Sequence, residues 1–240
     1  MIISRVRIPT QTAQGWPFTL ALVRQIADEG LAFVRPVTFL VGENGSGKST
    51  LIEAIAEAYG VDVRGGHTGR RYNNAPAKGP LGQAIELVRT SVGSRMTGRR
   101  TQGFFLRAET ALGVFEFMSD YGVAGYGDKH LAKVSHGEGF LRVLAGRFVG
   151  PGLYLMDEPE AALSFSSCLQ LVAALDQLGK DGGQVICATH SPVLCALPGA
   201  QILELTDEGI QPREWEDLTL VNHWRQFMSE PNSYIRYVVE

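Results

Sequence analysis

Cysteine, net charge and long apolar runs are all scarce in this chain of 240 residues. Its three cysteines, Cys168, Cys187 and Cys195, are too few and too irregularly spaced for a disulfide framework, and without a CxxC pair they offer no zinc site. They read as reduced, mostly buried residues of a cytosolic protein. The formal net charge is only -3 and the pI is near 6.0, which excludes attachment to nucleic acid or an anionic membrane by overall charge alone. No apolar run approaches the ~18 residues of a membrane span, and the N-terminal MIISRVRIPTQ lacks the apolar core of a signal peptide. The expectation is a soluble, cytoplasmic chain with no membrane insertion. Internal repeats, low-complexity linkers and heptads are lacking too, which excludes a long coiled-coil arm. A hydrophobic content of 45% leaves enough material for a sizeable core.

Residues 2–8 alternate apolar and polar side chains up to Pro9, the pattern of a half-buried antiparallel strand. A short helix is expected over 19–27. Residues 36–41 form an apolar, β-rich run that stops at Gly42, and 49–59 carry Leu51, Ile52, Ile55, Ala56 and Tyr59 at amphipathic helix spacing. Residues 60–80, rich in Gly, Arg, Asn and Pro, read as an exposed loop. The pattern then predicts helix over 81–91, strand over 103–107, helix over 108–119, a Gly-rich loop over 121–129 and helix over 138–148. A buried strand over 153–156, a helix over 166–178, a strand over 184–188 and a final strand over 201–205 complete the chain. Strands separated by helices indicate an α/β fold with a mostly parallel central sheet and N-terminal antiparallel strands. Residues 1–240 are expected to be one domain, with 60–148 as an inserted helical subdomain.

Gly42, Glu43, Asn44, Gly45, Ser46, Gly47, Lys48, Ser49 and Thr50 satisfy G-x-x-x-x-G-K-[ST] in full, with a strand before and a helix after. The glycines let the backbone curl so that successive N–H groups point at phosphates, reinforced by the positive end of the following helix. In such a P-loop the lysine, here Lys48, reaches the β- and γ-phosphates and the hydroxyl of Ser49 coordinates Mg²⁺. Further on, Leu153, Tyr154, Leu155 and Met156 lead into adjacent carboxylates, Asp157 and Glu158. An Asp at a strand end holds the Mg²⁺ shell in P-loop NTPases, and Glu158 is then the candidate for orienting or deprotonating the attacking water.

The segment from Asp157 to Ser164, DEPEAALS, resembles the Walker B and D-loop segment of ABC-type ATPases. Two more motifs follow the order of that family: Val134 to Gly139, VSHGEG, resembles the signature loop, and Ala188 to Pro192, ATHSP, resembles the switch-histidine segment. The resemblance covers nearly the whole chain. It implies a P-loop NTPase fold with an ABC-type ATPase head, ATP and Mg²⁺ as ligands, and an ATP-dependent homodimer in which Ser135 and Gly137 of one subunit meet the γ-phosphate held by the other. His136 stands where the family usually has a glycine. The resemblance also implies that His190 contacts the γ-phosphate or the water, and that a glutamine reaches Mg²⁺; Gln102 is the candidate, with Gln83 as the alternative. Trp16 and Phe18 lie upstream of the P-loop, where an adenine-stacking aromatic is expected. More narrowly, GFFLRAE and SHGE are similar to segments of the small stand-alone bacterial AAA/ABC-like ATPases, whose heads are related to SMC and RecF-type repair ATPases.

Residues 61–107 hold nine basic side chains against two acids, Asp62 and Glu86. A basic patch on an acidic chain suits a phosphate backbone, so nucleic acid is a candidate partner, alongside an unknown protein partner. The leading expectation is therefore Mg-dependent ATP hydrolysis with head dimerisation coupled to a partner, in DNA maintenance or defence. The alternatives are a nucleotide-gated interaction module with slow hydrolysis and the ATP-binding subunit of a transporter.

Overall fold

The computed structural model describes residues 1–9, 15–64, 66–67, 77–96, 102–107, 146 and 148–239. Two sheets organise them. The smaller is antiparallel, in the order β2-β1-β5, formed by β1 (Ile3–Arg7), β2 (Leu31–Ala32) and β5 (Glu86–Arg89). The larger has seven strands in the order β10-β9-β3-β8-β7-β6-β4. These are β3 (Val37–Val41), β4 (Gly66–His67), β6 (Gly103–Arg107), β7 (Leu153–Asp157), β8 (Gln184–Thr189), β9 (Gln201–Thr206) and β10 (Gly209–Pro212). The five strands β9, β3, β8, β7 and β6 run parallel, and only the edge strands β10 and β4 are antiparallel to their neighbours.

The central strands are apolar throughout because both faces of the sheet are covered. Along β3, Leu40 faces one core, with α1 (Ala21–Glu29) and α2 (Lys48–Tyr59), whereas Val37, Phe39 and Val41 face the other. Leu153, Leu155, Ile186 and Ala188 join the first core, and Tyr154, Met156, Val185 and Cys187 the second. The second core is closed by α5 (Phe165–Lys180), α6 (Pro192–Cys195) and α7 (Thr219–Ser229); α8 (Asn232–Ile235) follows. The antiparallel sheet lies over the first core through Ile2, Ile3, Val6 and Leu31. All three cysteines are free and buried. No described helix is long and apolar enough to cross a membrane.

Several elements differ from the expectation. The helix expected over 81–91 is only α3 (Pro80–Ala84); β5 follows, then α4 (Ser91–Arg95). Leu87 and Val88 pair with Val6 and Arg5 of β1, so long-range ladder bonds override a weak local helix pattern. The loop expected over 60–80 contributes β4, which pairs Gly66 and His67 with Phe105 and Phe104. The strand over 201–205 is not the last element, because β10 returns beside β9 and helices α7 and α8 come after it. The span 60–148 is woven into both sheets through β4, β5 and β6. The helix and loop expected over 108–119 and 121–129 lie outside the described residues, as do all but 146 and 148 of the helix expected over 138–148.

Candidate functional site

Parallel strands deliver their C-terminal ends to one edge of a sheet, where helix N-termini also gather. Here β3, β8, β7 and β6 bring Val41, Thr189, Asp157 and Arg107 to that edge in register: Val41 opposite Thr189, Asp157 opposite Ala188, and Arg107 opposite Asp157. Residues 42–47 leave β3 and open α2. Gly47 caps that helix at φ 92°, a left-handed conformation available to glycine at little cost. Gly42 sits so close to β9 that a Cβ there would lie 2.4 Å from the Leu205 carbonyl oxygen.

Lys48 is buried, and its ammonium donates to the carbonyls of Gly42 (2.8 Å) and Glu43 (2.9 Å). Burial pulls its pKa below the ordinary lysine value, against the opposing pull of Glu158, Asp157 and Glu160. The Ser49 hydroxyl donates to Asp157 Oδ1 at 3.1 Å. Burial pushes the Asp157 carboxyl above its usual range, while the Ser49 hydrogen bond and the Arg107 guanidinium oppose it. Asp157 is also paired through Oδ2 with Arg107 Nη2 at 3.3 Å, and Arg107 Nη1 reaches Glu53 Oε1 at 2.9 Å.

Glu158 is the only described non-glycine residue with positive φ, at 48°. Such a conformation costs on the order of 1–3 kcal/mol and persists where surrounding structure enforces it. Here the Glu158 N–H donates to the Ala188 carbonyl at 2.9 Å, and Pro159 starts a short 3-10 turn immediately after. The bend carries the Glu158 carboxylate to 3.3 Å from His190 Nε2, an ion-pair distance without hydrogen-bond geometry. The His190 backbone N–H donates to Glu160 Oε1. Burial raises the Glu160 carboxyl, opposed by the nearby Thr189 hydroxyl and the His190 backbone N–H. A cleft of about 540 Å³ opens beside the loop, between residues 41–46, His190 and the 204–207 and 219–223 segments.

The donor set fits a nucleoside triphosphate with a divalent ion. Ser46 Oγ and His190 Nε2 are buried and lack a hydrogen-bond partner among the described residues, so both have capacity for phosphate oxygens. Lys48 offers a cation at the mouth of α2, and Ser49 with Asp157 offers oxygen donors suited to Mg²⁺.

The structure thus brings together the loop residues 42–50, Asp157, Glu158 and His190. Gln102 is not among them. It precedes the N-terminal end of β6, where its carbonyl accepts from Leu153 N–H and Tyr59 OH at 3.1 Å each, at the opposite end of the strand from Asp157. Gln83 lies in α3, its side chain donating to the Lys78 carbonyl. Ser135 and Gly137 lie outside the described residues. Trp16 is 69% exposed and Phe18 packs on the first core. Glu160 and His223, which lines the cleft, carried no role in the sequence reading, and Arg107 was counted there only among the basic side chains of 61–107. Glu160 stood inside the DEPEAALS segment, where a second acid after a strand end was the available signal; Arg107 had none without the β6–β7 register. Of the basic residues over 61–107, Arg64 pairs with Asp62, Arg89 lies 5.0 Å from the Tyr59 ring centroid, and Arg107 faces the site. Arg70, Arg71, Arg99 and Arg100 lie outside the described residues.

A glycine-rich loop between a buried strand and a helix, facing a strand-end carboxylate on the same parallel sheet, defines a P-loop nucleotide-binding domain. Comparisons with known proteins narrow the class. A family model described as an AAA domain matches residues 19–93. The chain is 34% identical over 166 residues to the Fe(3+) ions import ATP-binding protein FbpC of Streptomyces coelicolor, covering 64% of this chain and 47% of that protein. It is 29% identical over 182 residues to the hemin import ATP-binding protein HmuV of Rhodopseudomonas palustris, covering 65% of this chain and 64% of that one. The chain therefore spans about half the length of the first relative and under two thirds of the second. Among solved structures, the SMC head domain from Thermotoga maritima shares the fold with a TM-score of 0.53 and 16% identity, over 89% of this chain and 100% of that one. The chain is thus similar in sequence to ABC-type ATP-binding proteins and shares the fold of an SMC head domain.

Proposed function

We propose that the chain binds Mg-ATP through residues 42–50 and hydrolyses it with Glu158 as the base, using nucleotide-dependent head pairing to drive a partner. The observation that carries the proposal is the convergence of Ser49 on Asp157, and of Glu158 and His190 on each other, beside a loop whose Ser46 hydroxyl is unsatisfied. Lys48 exchanges its two carbonyl partners for the β- and γ-phosphates. Ser49 and Asp157 would hold Mg²⁺, which when bound supplies charge neutralisation at the phosphates. Glu158 orients a water and takes its proton as the water oxygen bonds to the terminal phosphorus. The bond from that phosphorus to the bridging oxygen then breaks, leaving ADP and phosphate. His190 donates a hydrogen bond from Nε2 to the γ-phosphate. Ser135 and Gly137 of a second copy close the site in trans.

Glu158→Gln keeps size and most hydrogen bonds but removes the base. Nucleotide binding is expected to persist while steady-state turnover falls by ~10²–10⁴-fold. Light scattering after size-exclusion chromatography should show a doubled mass with Mg-ATP only. Lys48→Ala, in a folded protein, should lose tight nucleotide binding. Parent-rate turnover by the Glu158 variant would remove it from the catalytic role, and unchanged mass would defeat the paired-head mechanism. A second reading, the ATP-binding subunit of an importer, draws support from the two relatives described as import ATP-binding proteins. Co-purification with membrane-spanning subunits tests it. A turnover rate measured with and without DNA separates a motor from a nucleotide-gated module that hydrolyses slowly.

A further inference from the structure

The carboxylate assigned to the divalent ion already has a cation bound to it. Asp157 Oδ1 accepts from Ser49, and Asp157 Oδ2 is paired with Arg107 at 3.3 Å, so both oxygens are engaged. Arg107 is held there from two sides. The in-register pairing of β6 with β7 places it directly opposite Asp157, and Glu53, one turn beyond Ser49 on α2, binds its other nitrogen at 2.9 Å. Glu53 and Asp157 are close enough to repel one another electrostatically, and Arg107 lies between them. Asp157 is almost fully buried, whereas Arg107 retains 31% side-chain exposure, so the guanidinium closes the solvent side of this carboxylate pair.

We propose that Arg107 is a resident counter-cation at Asp157 that competes with the divalent ion, setting the metal affinity of the site. The inference rests on the reading of Ser49 and Asp157 as the metal residues. A guanidinium cannot ligate a metal, having donors and no acceptor. Its fixed charge therefore opposes a second cation at the same carboxylate, and the ion enters as Arg107 releases Oδ2 and turns toward Glu53 or the phosphates. Glutamine at this position would remove the charge and leave two facing carboxylates, Asp157 and Glu53, to attract an ion.

The test is Mn²⁺ alone, titrated into the full chain and followed by electron paramagnetic resonance of the free ion. Arg107→Gln is expected to bind Mn²⁺ about tenfold more tightly than the parent, the direction set by losing a like charge within contact distance. Arg107→Lys keeps the charge but cannot bridge two carboxylates with a planar fork, and should fall between the two. Equal or weaker Mn²⁺ binding by Arg107→Gln, including no measurable binding by either protein, overturns the proposal. If Arg107→Gln does not fold, an Arg107→Lys affinity equal to or weaker than that of the parent overturns it. Asp157→Asn separates this from the underlying reading: if the parent binds Mn²⁺ and Asp157→Asn binds it equally well, the metal assignment itself fails.

Discussion

Gln184 is expected to be the most sensitive polar residue outside the nucleotide site. It opens β8, is fully buried, and its side chain crosses to the antiparallel sheet. There Oε1 accepts from the N–H groups of Ile2 at 2.7 Å and Ile3 at 2.8 Å, while Nε2 donates to the Ile3 carbonyl at 2.9 Å. Gln184→Met retains length and most of the volume but deletes all three bonds, leaving three buried backbone groups of Ile2 and Ile3 without this partner. Each buried group so orphaned costs about 1–3 kcal/mol. Allowing for partial rearrangement, the loss should be about 3–5 kcal/mol, a large part of the roughly 5–15 kcal/mol typical of a domain. Urea unfolding followed by circular dichroism measures it, with an unchanged slope showing that the same surface is exposed. Gln184 lies at the opposite end of β8 from Thr189, so the fraction that remains folded should bind nucleotide with parent affinity. A loss below about 1 kcal/mol would refute the view that this amide joins the two sheets.

Gly42→Ala should weaken nucleotide binding at least tenfold with little change in β3 itself, because the added Cβ meets the Leu205 carbonyl, fixed by the sheet, at 2.4 Å; isothermal titration with ATP reads this, and parent affinity would contradict it. Glu160→Gln should flatten the dependence of the urea midpoint on pH. Burial raises the folded carboxyl above its ordinary value, so the folded state keeps a proton that the unfolded chain has released. The contribution of Glu160 to stability is therefore full below the ordinary carboxylate range and declines as pH rises through the raised value. Parallel curves for parent and variant would show that Glu160 is not the group responsible.

Much of the architecture was legible because it follows from contiguous residues. The apolar runs around Val37, Leu153 and Val185 became neighbouring strands, and the 103–107 expectation coincides with β6. The same local logic failed at 86–89. Four residues with one apolar pair suit helix or strand equally, and partners in β1 decided for strand. It failed again after residue 206, where the short β10 has no periodic pattern long enough to read and depends on β9 for its existence.

At the site, a P-loop needs only its own glycines, one lysine and one hydroxyl between a strand and a helix, so residues 42–50 could be proposed from order alone. Asp157 and Glu158 could be proposed on the same basis, as two acids at the end of an apolar strand that follows such a loop in the chain. Which side chain faces Asp157 was a different kind of question. A glutamine in the right region of the sequence, Gln102, lies at the wrong end of β6, and Arg107 occupies the other end because two parallel strands pair in register. The loop chemistry was determined by the sequence itself, since its atoms are brought together by bonds along the chain. The Arg107–Asp157–Glu53 bridge and the Glu160 contact to His190 were decided only by tertiary structure, because their partners come from different strands and helices whose alignment depends on the packing of the whole sheet.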